Sequence, residues 1–280
     1  MGAHEYAAKV LGADRIATGH YASIVRLENG RYTVRTAEHA RKDQSYMLYR
    51  LSQEQLAATL MPLGPYSKDR VRQIAAEIGL EIAGKPDSQE ICFVPNDDYA
   101  GFIKSWLAGA ARNVQSGETG REPGNQQDPF APGDFVDTDG KVLGRHKGIA
   151  HYTVGQRKGL GIALGYPAYV LRIDKERNQV VLGAEDALLT DTVRCSDVNF
   201  MGIEGLAEGG RIKVFAKIRY QHPAAEAWLE AVPQNFCVDD PQSEQAVLLR
   251  FEKPVKAAAP GQSAVFYDAD GCVLGGGIIE

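Results

Sequence analysis

A change of periodicity partway along this chain constrains its fold more than any other feature. From Asp134 onward, short β-like runs follow one another with glycine turns between them, at residues 135–136, 169–173, 179–182, 212–218, 246–251 and 264–267. An Asp270-Gly271 hairpin turn separates the last of these from Cys272-Val273-Leu274. Runs of this length predict two small β-rich modules that divide near residues 190–195, the second with the strand count of a small closed barrel.

Before residue 95 the pattern is different. Residues 3–12 read as the end of an amphipathic helix closed by Gly12, and Arg15-Ile16-Ala17-Thr18 reads as a short strand ending in a Gly19-His20 turn. Gly30 sits between two β-like runs, 24–27 and 32–35, and predicts a hairpin. Ser52 with Gln55 forms a capping box, and Ser67 opens a further helix that stops at Gly79. Alternation of this kind predicts an α/β layer. A helix over 99–107 then leads into a long loop over 110–134, rich in Gly, Pro, Gln, Asn and Asp. The predicted domains are 1–97, 98–192 and 193–280. A nucleotide-binding α/β domain normally opens with a strand and a glycine-rich phosphate loop, whereas this sequence opens on a helix.

The net charge of −5 argues against a protein coated in positive potential, so any nucleic-acid site must be local. Local basic groups exist at Arg31, Arg35, Arg41 and Lys42, at Arg145-His146-Lys147, at Arg157-Lys158, and at Arg211, Lys213, Lys217 and Arg219. Taken singly, each reads as a solvated face sooner than as a binding site. No apolar run approaches the roughly 20 residues that span a bilayer, and the N-terminus lacks a secretory signal, so no membrane association is expected and the cytoplasm is the expected location. The cysteines, at 92, 195, 237 and 272, are too far apart for a Cys-x-x-Cys metal or redox motif.

Four segments carry residues that packing alone explains poorly. In Asp87-Ser88-Gln89-Glu90-Ile91-Cys92-Phe93, strand alternation sends Ile91 and Phe93 to one face and Cys92 to the other. A thiol acts as nucleophile or sulfur carrier only as its thiolate, which Lys85 favours and Asp87 and Glu90 oppose; a buried structural cysteine remains the alternative. Thr18-Gly19-His20-Tyr21-Ala22 puts a glycine and a histidine where a strand ends, the place at which α/β sheets bind ligands. Lys42-Asp43-Gln44-Ser45-Tyr46 groups a cation, an amide, a hydroxyl and a ring that could hold phosphate, ribose and an unstacked base, or could simply cap a helix. Gly155-Gln156-Arg157-Lys158-Gly159-Leu160-Gly161 is either a flexible basic loop or a glycine-rich β connection.

Taken together, these segments resemble the tRNA-specific 2-thiouridylases over almost the whole chain. The likeness extends through His151-Tyr152-Thr153-Val154, Pro260-Gly261-Gln262-Ser263 and the terminal Gly275-Gly276-Gly277-Ile278-Ile279. The resemblance implies an adenine-nucleotide hydrolase-like Rossmann layer, incomplete here, followed by a central β-rich module and a C-terminal β-barrel. It also implies ATP-dependent 2-thiolation of the wobble uridine of tRNA: the carbonyl oxygen is adenylated and a cysteine persulfide delivers sulfur. Cys92 matches the persulfide cysteine and Gly19 an ATP contact. His20, Lys42, Asp43, Gln44, Arg219, Tyr220 and Gln262 match tRNA contacts. ATP with Mg2+, tRNA and a persulfide sulfur-donor protein are the implied cofactor and partners, and the implied state is a monomer with no metal site of its own.

The sequence also departs from the family pattern. The family's Ser-Gly-Gly-Val-Asp-Ser loop and its partner cysteine in Asn-Pro-Asp-x-x-Cys-Asn do not occur here, and Cys195, Cys237 and Cys272 lie in β-like runs expected to be structural. Gln221-His222-Pro223 replaces the more basic residues usual after Arg219-Tyr220. The expectation is that this chain does not complete thiolation alone. The alternative is a non-catalytic tRNA-binding or sulfur-carrier module.

Overall fold

The computed structural model describes residues 8, 10–84, 101–106, 128–232 and 246–280. The chain forms two compact units. One joins Met1–Gly84 to Leu189–Glu280, and the other is Lys85–Leu188.

In the first unit, β1 (Ile16–Ala17) is followed by the hairpin β2 (Ala22–Arg26) and β3 (Tyr32–Thr36), α1 (Gln53–Ala57), β4 (Thr59–Leu60) and α2 (Lys68–Glu77). β1 and β4 pair in parallel, as an α/β layer requires. The hairpin turns at Gly30, whose φ of 84° only glycine adopts at no cost. The capping box forms as expected: the Gln55 backbone N–H donates to Ser52 Oγ at 3.2 Å, and the Ser52 N–H to Gln55 Oε1 at 3.1 Å. Ser67 caps α2 in the same way, through the Arg70 N–H at 3.2 Å.

The second unit is a four-stranded sheet of β5 (Gly133–Val136), β6 (Val142–His146), β7 (Tyr169–Asp174) and β8 (Gln179–Gly183), in the order β6-β5-β8-β7. Phe135, Tyr152, Leu160, Val170, Val180 and Leu182 form its core. His146 is buried in it, accepting from the Gly148 N–H through Nδ1 at 3.0 Å while Nε2 lies 3.1 Å from Asn178 O. Burial lowers its pKa, so this member of the basic grouping is a neutral packing residue. Residues 101–106 are helical, within the helix expected over 99–107.

Six strands close the barrel: β9 (Leu189–Phe200), β10 (Arg211–Lys217), β11 (Ala225–Ala231), β12 (Val247–Lys256), β13 (Ser263–Tyr267) and β14 (Val273–Ile279). Their order is β10-β11-β12-β9-β14-β13. β9 runs unbroken through residues 190–195, where the sequence suggests a change of module. Its polar alternation conceals the strand. Inside the barrel lie Val193, Cys195, Val214, Leu229, Leu249 and Phe266.

The outer face of β13 and β14 is buried as well. Ala264 and Phe266 point into the barrel, while Val265 and Tyr267 join Val273, Val34, Tyr46, Leu48 and Tyr49 in a second core that docks the N-terminal layer. Polar contacts fix this docking. Arg31 Nε donates to Met201 O at 2.9 Å, Asn29 Nδ2 to Gly202 O at 3.0 Å, the Thr36 N–H to Gly271 O at 2.9 Å and Tyr46 OH to Ser263 O at 2.7 Å. The glycines of β14 allow the close approach. A Cβ on Gly276 would lie 2.5 Å from Tyr49 Cδ2 and 2.9 Å from Ala264 O.

Two outcomes are expected. Gly276→Val should destabilise the first unit by about 1–3 kcal/mol through overpacking, with a coupling to Tyr49→Ala in a double-mutant cycle of chemical unfolding; additive effects would deny the contact. Cys195 is fully buried and its thiol is pushed up to about 12, chiefly by burial, and burial pushes Cys272 up to about 11. Iodoacetamide at pH 8 should therefore leave both unmodified in native protein and modify both after unfolding, as read by peptide mass mapping.

Candidate nucleic-acid interface

Asp43 organises the site. Its carboxylate is buried and accepts from the Ala37 N–H at 3.0 Å, the Ser45 N–H at 3.2 Å and Ser45 Oγ at 2.8 Å. The single Ser45 hydroxyl proton is spent on that carboxylate, so Tyr267 OH, 3.3 Å away, donates to Ser45 Oγ. The acidic side chain is thus committed to its own loop, and what Asp43 offers outward is its backbone carbonyl. That carbonyl accepts from Tyr220 OH at 3.0 Å.

Gln44 extends the connection in the other direction. The Tyr21 N–H donates to Gln44 Oε1 at 2.9 Å and the Gln44 N–H to Tyr21 O at 3.0 Å, which clamps the Gly19-His20 turn against the 42–44 loop. His20 Nδ1 lies 3.0 Å from Thr18 Oγ1, and partial burial lowers its pKa, so the ring is neutral near pH 7. Lys42 is exposed at the end of a short 3-10 turn over Ala40–Lys42.

Arg219 and Tyr220 occupy the turn between β10 and β11. Arg219 Nη2 donates to Lys256 O at 3.4 Å. The Tyr220 ring packs edge-on to Tyr46, centroids 6.0 Å apart, with Lys217 Nζ 6.0 Å from its centroid. Burial, then the Asp43 charge, raises the Tyr220 pKa, so its hydroxyl stays a donor. Gln262 is exposed in the turn before β13, next to the Ser263 that accepts from Tyr46.

The structure therefore ties Tyr21, Gln44, Asp43 and Tyr220 into one hydrogen-bonded face, with His20, Lys42 and Arg219 as their chain neighbours. Gln262 is linked to that face only through Ser263 and Tyr46. Beside it opens a cleft of about 430 Å³ lined by Thr36, Asp43, Lys217, His222, Pro223 and Tyr267, among others. Burial, then Arg219 and Lys217, lowers the His222 pKa. In the sequence Lys217 stands out only as a member of a basic grouping, and His222 only within the Gln221-His222-Pro223 departure. Lys213, in the same basic grouping, instead pairs with Glu226 at 2.7 Å and Glu252 at 3.1 Å, as a solvated face does.

Gly19 has no packing reason to be glycine. A Cβ there would meet only Leu63 Cδ1, at an ordinary 3.8 Å, and its φ is not left-handed. Its backbone N–H and that of His20 donate to no acceptor among the described residues. This is the form expected where a ligand comes close to the carboxyl end of a parallel strand. Cys92, with all of Asp87–Phe93, and Cys237 lie outside the described residues. Among the described residues, no three His, Cys, Asp or Glu side chains are grouped to hold a metal, and no helix is long and apolar enough to cross a membrane.

Residues 2–96 match the family described as tRNA methyl transferase HUP domain, residues 125–184 the tRNA methyl transferase PRC-barrel domain and residues 190–279 the aminomethyltransferase beta-barrel domain. The chain is 48% identical over 270 residues to the tRNA-specific 2-thiouridylase MnmA of Lachnoclostridium phytofermentans, covering 96% of this chain and 67% of that protein. With the protein of the same name from Clostridium acetobutylicum it shares 46% over 273 residues, covering 98% and 68%. With that of Halothermothrix orenii it shares 44% over 270 residues, covering 96% and 66%. It thus spans about two thirds of the length of these relatives. An α/β layer, a β-rich module and a closed β-barrel in that order, matched at this identity along nearly the whole chain, make it a member of the tRNA-specific 2-thiouridylase family.

Proposed function

We propose that this chain acts in the ATP-dependent 2-thiolation of the wobble uridine of tRNA and grips tRNA on the face that joins His20, Lys42 to Gln44 and Arg219-Tyr220. The observation that carries this reading is the hydrogen-bonded clamp itself. It unites segments almost 180 residues apart through Tyr21, Gln44, Asp43 and Tyr220. Their side chains suit the polymer: Lys42 and Arg219 for phosphates, and the half-exposed Tyr220 ring for an unstacked base. Neutral His20 is suited to hydrogen bonding with sugar or base, and exposed Gln262 would extend the same grip.

Gly19, with the N–H groups at Gly19 and His20, would border the nucleotide. ATP, with Mg2+, would supply the adenylyl group that turns the uridine carbonyl oxygen into a leaving group. Cys92 would carry the outer persulfide sulfur, received from a donor protein, to the carbon so activated, with AMP leaving; a second thiol would then take the Cys92 sulfur as a disulfide and free the 2-thiouridine.

Binding should be strongly salt-dependent. In fluorescence anisotropy with an unmodified tRNA transcript, Lys42→Gln and Arg219→Gln should each lower the slope of log K against log salt by about 1; an unchanged slope would remove that residue from the interface. Thiolation is read as 2-thiouridine by nucleoside mass spectrometry, with ATP, Mg2+ and a persulfide donor present, both with and without the N-terminal third of a relative. Cys92→Ser should abolish the product. Gly19→Val should reduce it while leaving the thermal midpoint of unfolding unchanged. Product formed by Cys92→Ser at the parent rate would sink the role of Cys92, and tRNA binding without product under either supplement would favour a binding module.

A further inference from the structure

Between Lys141 and Ile173 the chain carries Lys141, Arg145, Lys147, Arg157, Lys158 and Arg172 but no aspartate or glutamate, in a protein whose net charge is −5. Arg145 and Arg172 reach out of that span to Asp134, at 3.4 Å, and Asp174, at 3.2 Å. Arg157 and Lys158 are exposed, and no ion pair joins either to a carboxylate among the described residues.

The loop that carries them is anchored at its ends and open in its middle. The Gly155 N–H donates to Val170 O at 2.8 Å, the Val170 N–H to Gln156 O at 2.9 Å, and Gln156 Nε2 to Lys158 O at 3.0 Å, while Leu160 and Ala168 sit in the core of the second unit. Between these anchors Gly159, Gly161 and Gly165 take φ values of 74°, 71° and 76°, and a Cβ on Gly161 or Gly165 would meet nothing within 4 Å. Crowding therefore does not explain these glycines; the path of the backbone does. The N–H groups of residues 161–165 donate to no acceptor among the described residues. The loop borders an open cleft of about 520 Å³ lined by Arg157, Leu164, Tyr166 and Pro167, among others. Tyr166 is 54% exposed there and presents its ring to the cleft.

Arg157, whose guanidinium lies over the Tyr169 ring with its centroid 6.0 Å away and which pairs with no carboxylate among the described residues, lines the cleft with Lys158 as its chain neighbour. Together with backbone donors that lack an acceptor among those residues and an exposed aromatic ring, it is complementary to a phosphate joined to a flat, apolar-faced group. A base paired within a helix keeps its face hidden, so the ring selects an unpaired one. We propose that this cleft is a second RNA-contacting site that takes an unpaired nucleotide, its phosphate against Arg157 and Lys158 and its base against Tyr166. This rests on the reading of the chain as a tRNA-binding protein.

The test is fluorescence anisotropy of the full chain with two probes, an unmodified tRNA transcript and a 12-residue oligouridine. Tyr166→Ala should weaken oligouridine binding about tenfold, and Tyr166→Phe should retain it. The double variant Arg157→Gln/Lys158→Gln should lower the salt slope with either probe by about 1–2. These side chains are exposed, so thermal midpoints should match the parent and separate lost contacts from lost folding. If Lys42→Gln weakens tRNA binding while the loop variants bind both probes like the parent, the loop proposal falls and the first interface stands. A parent chain that binds neither RNA overturns the reading beneath both.

Discussion

Tyr46 and Tyr49 hold the first unit together. Their rings lie on the outer face of β13 and β14, and their hydroxyls meet Ser263, Tyr46 donating to its carbonyl and Tyr49 sharing a 3.1 Å hydrogen bond with its Oγ. A ring with a polar tip suits this place, because the body is buried while the tip finds a partner at the strand end. The N-terminal layer needs such support. Among the described residues it contains only two-stranded sheets, and a lone two-stranded sheet is marginal in water. Each large side chain buried in the docking core contributes about 1.5–3 kcal/mol, and the barrel supplies the surface that makes this burial possible.

The interface inherits its geometry from that contact. Tyr46 touches Tyr220 on one side and follows the Asp43-Ser45 hydrogen-bond cage on the other, and Ser45 is in turn tied to Tyr267 of β13. The loop that carries Lys42 is therefore aligned with the Arg219-Tyr220 turn by core residues that face no solvent. Asp43, hydrogen-bonded on both oxygens and buried, shapes the loop and presents a neutral carbonyl outward.

Features set by local chemistry were legible in the sequence, and features set by distant pairing were not. The Ser52 and Ser67 caps, the Gly30 turn and the Asp270-Gly271 hairpin each follow from a few adjacent residues. β11 reads Ala-Glu-Ala-Trp-Leu-Glu-Ala, a run of good helix formers, and is a strand because β10 and β12 pair with it on both sides. β9 is not legible because threonine, aspartate, arginine, serine and asparagine interrupt its few apolar positions. Gly19 was legible as a residue at a strand end. The meeting of residues 42–44 with 219–220 came from family resemblance alone, since no spacing rule joins segments so far apart.

The second unit interrupts the first in sequence, and this orders events on the ribosome. Residues up to Gly84 emerge first, but the strands they pack against, β13 and β14, begin only at Ser263, with Lys85–Leu188 and the first four barrel strands made in between. At a synthesis rate of about 5–20 residues per second, the residues between Gly84 and the end of β14 take roughly 10–40 s. During that interval Val34, Leu48, Tyr46 and Tyr49 have no barrel to cover them, while the inserted sheet can already close around Phe135 and Val180. The nascent chain thus spends seconds with its docking face bare until β13 and β14 leave the tunnel.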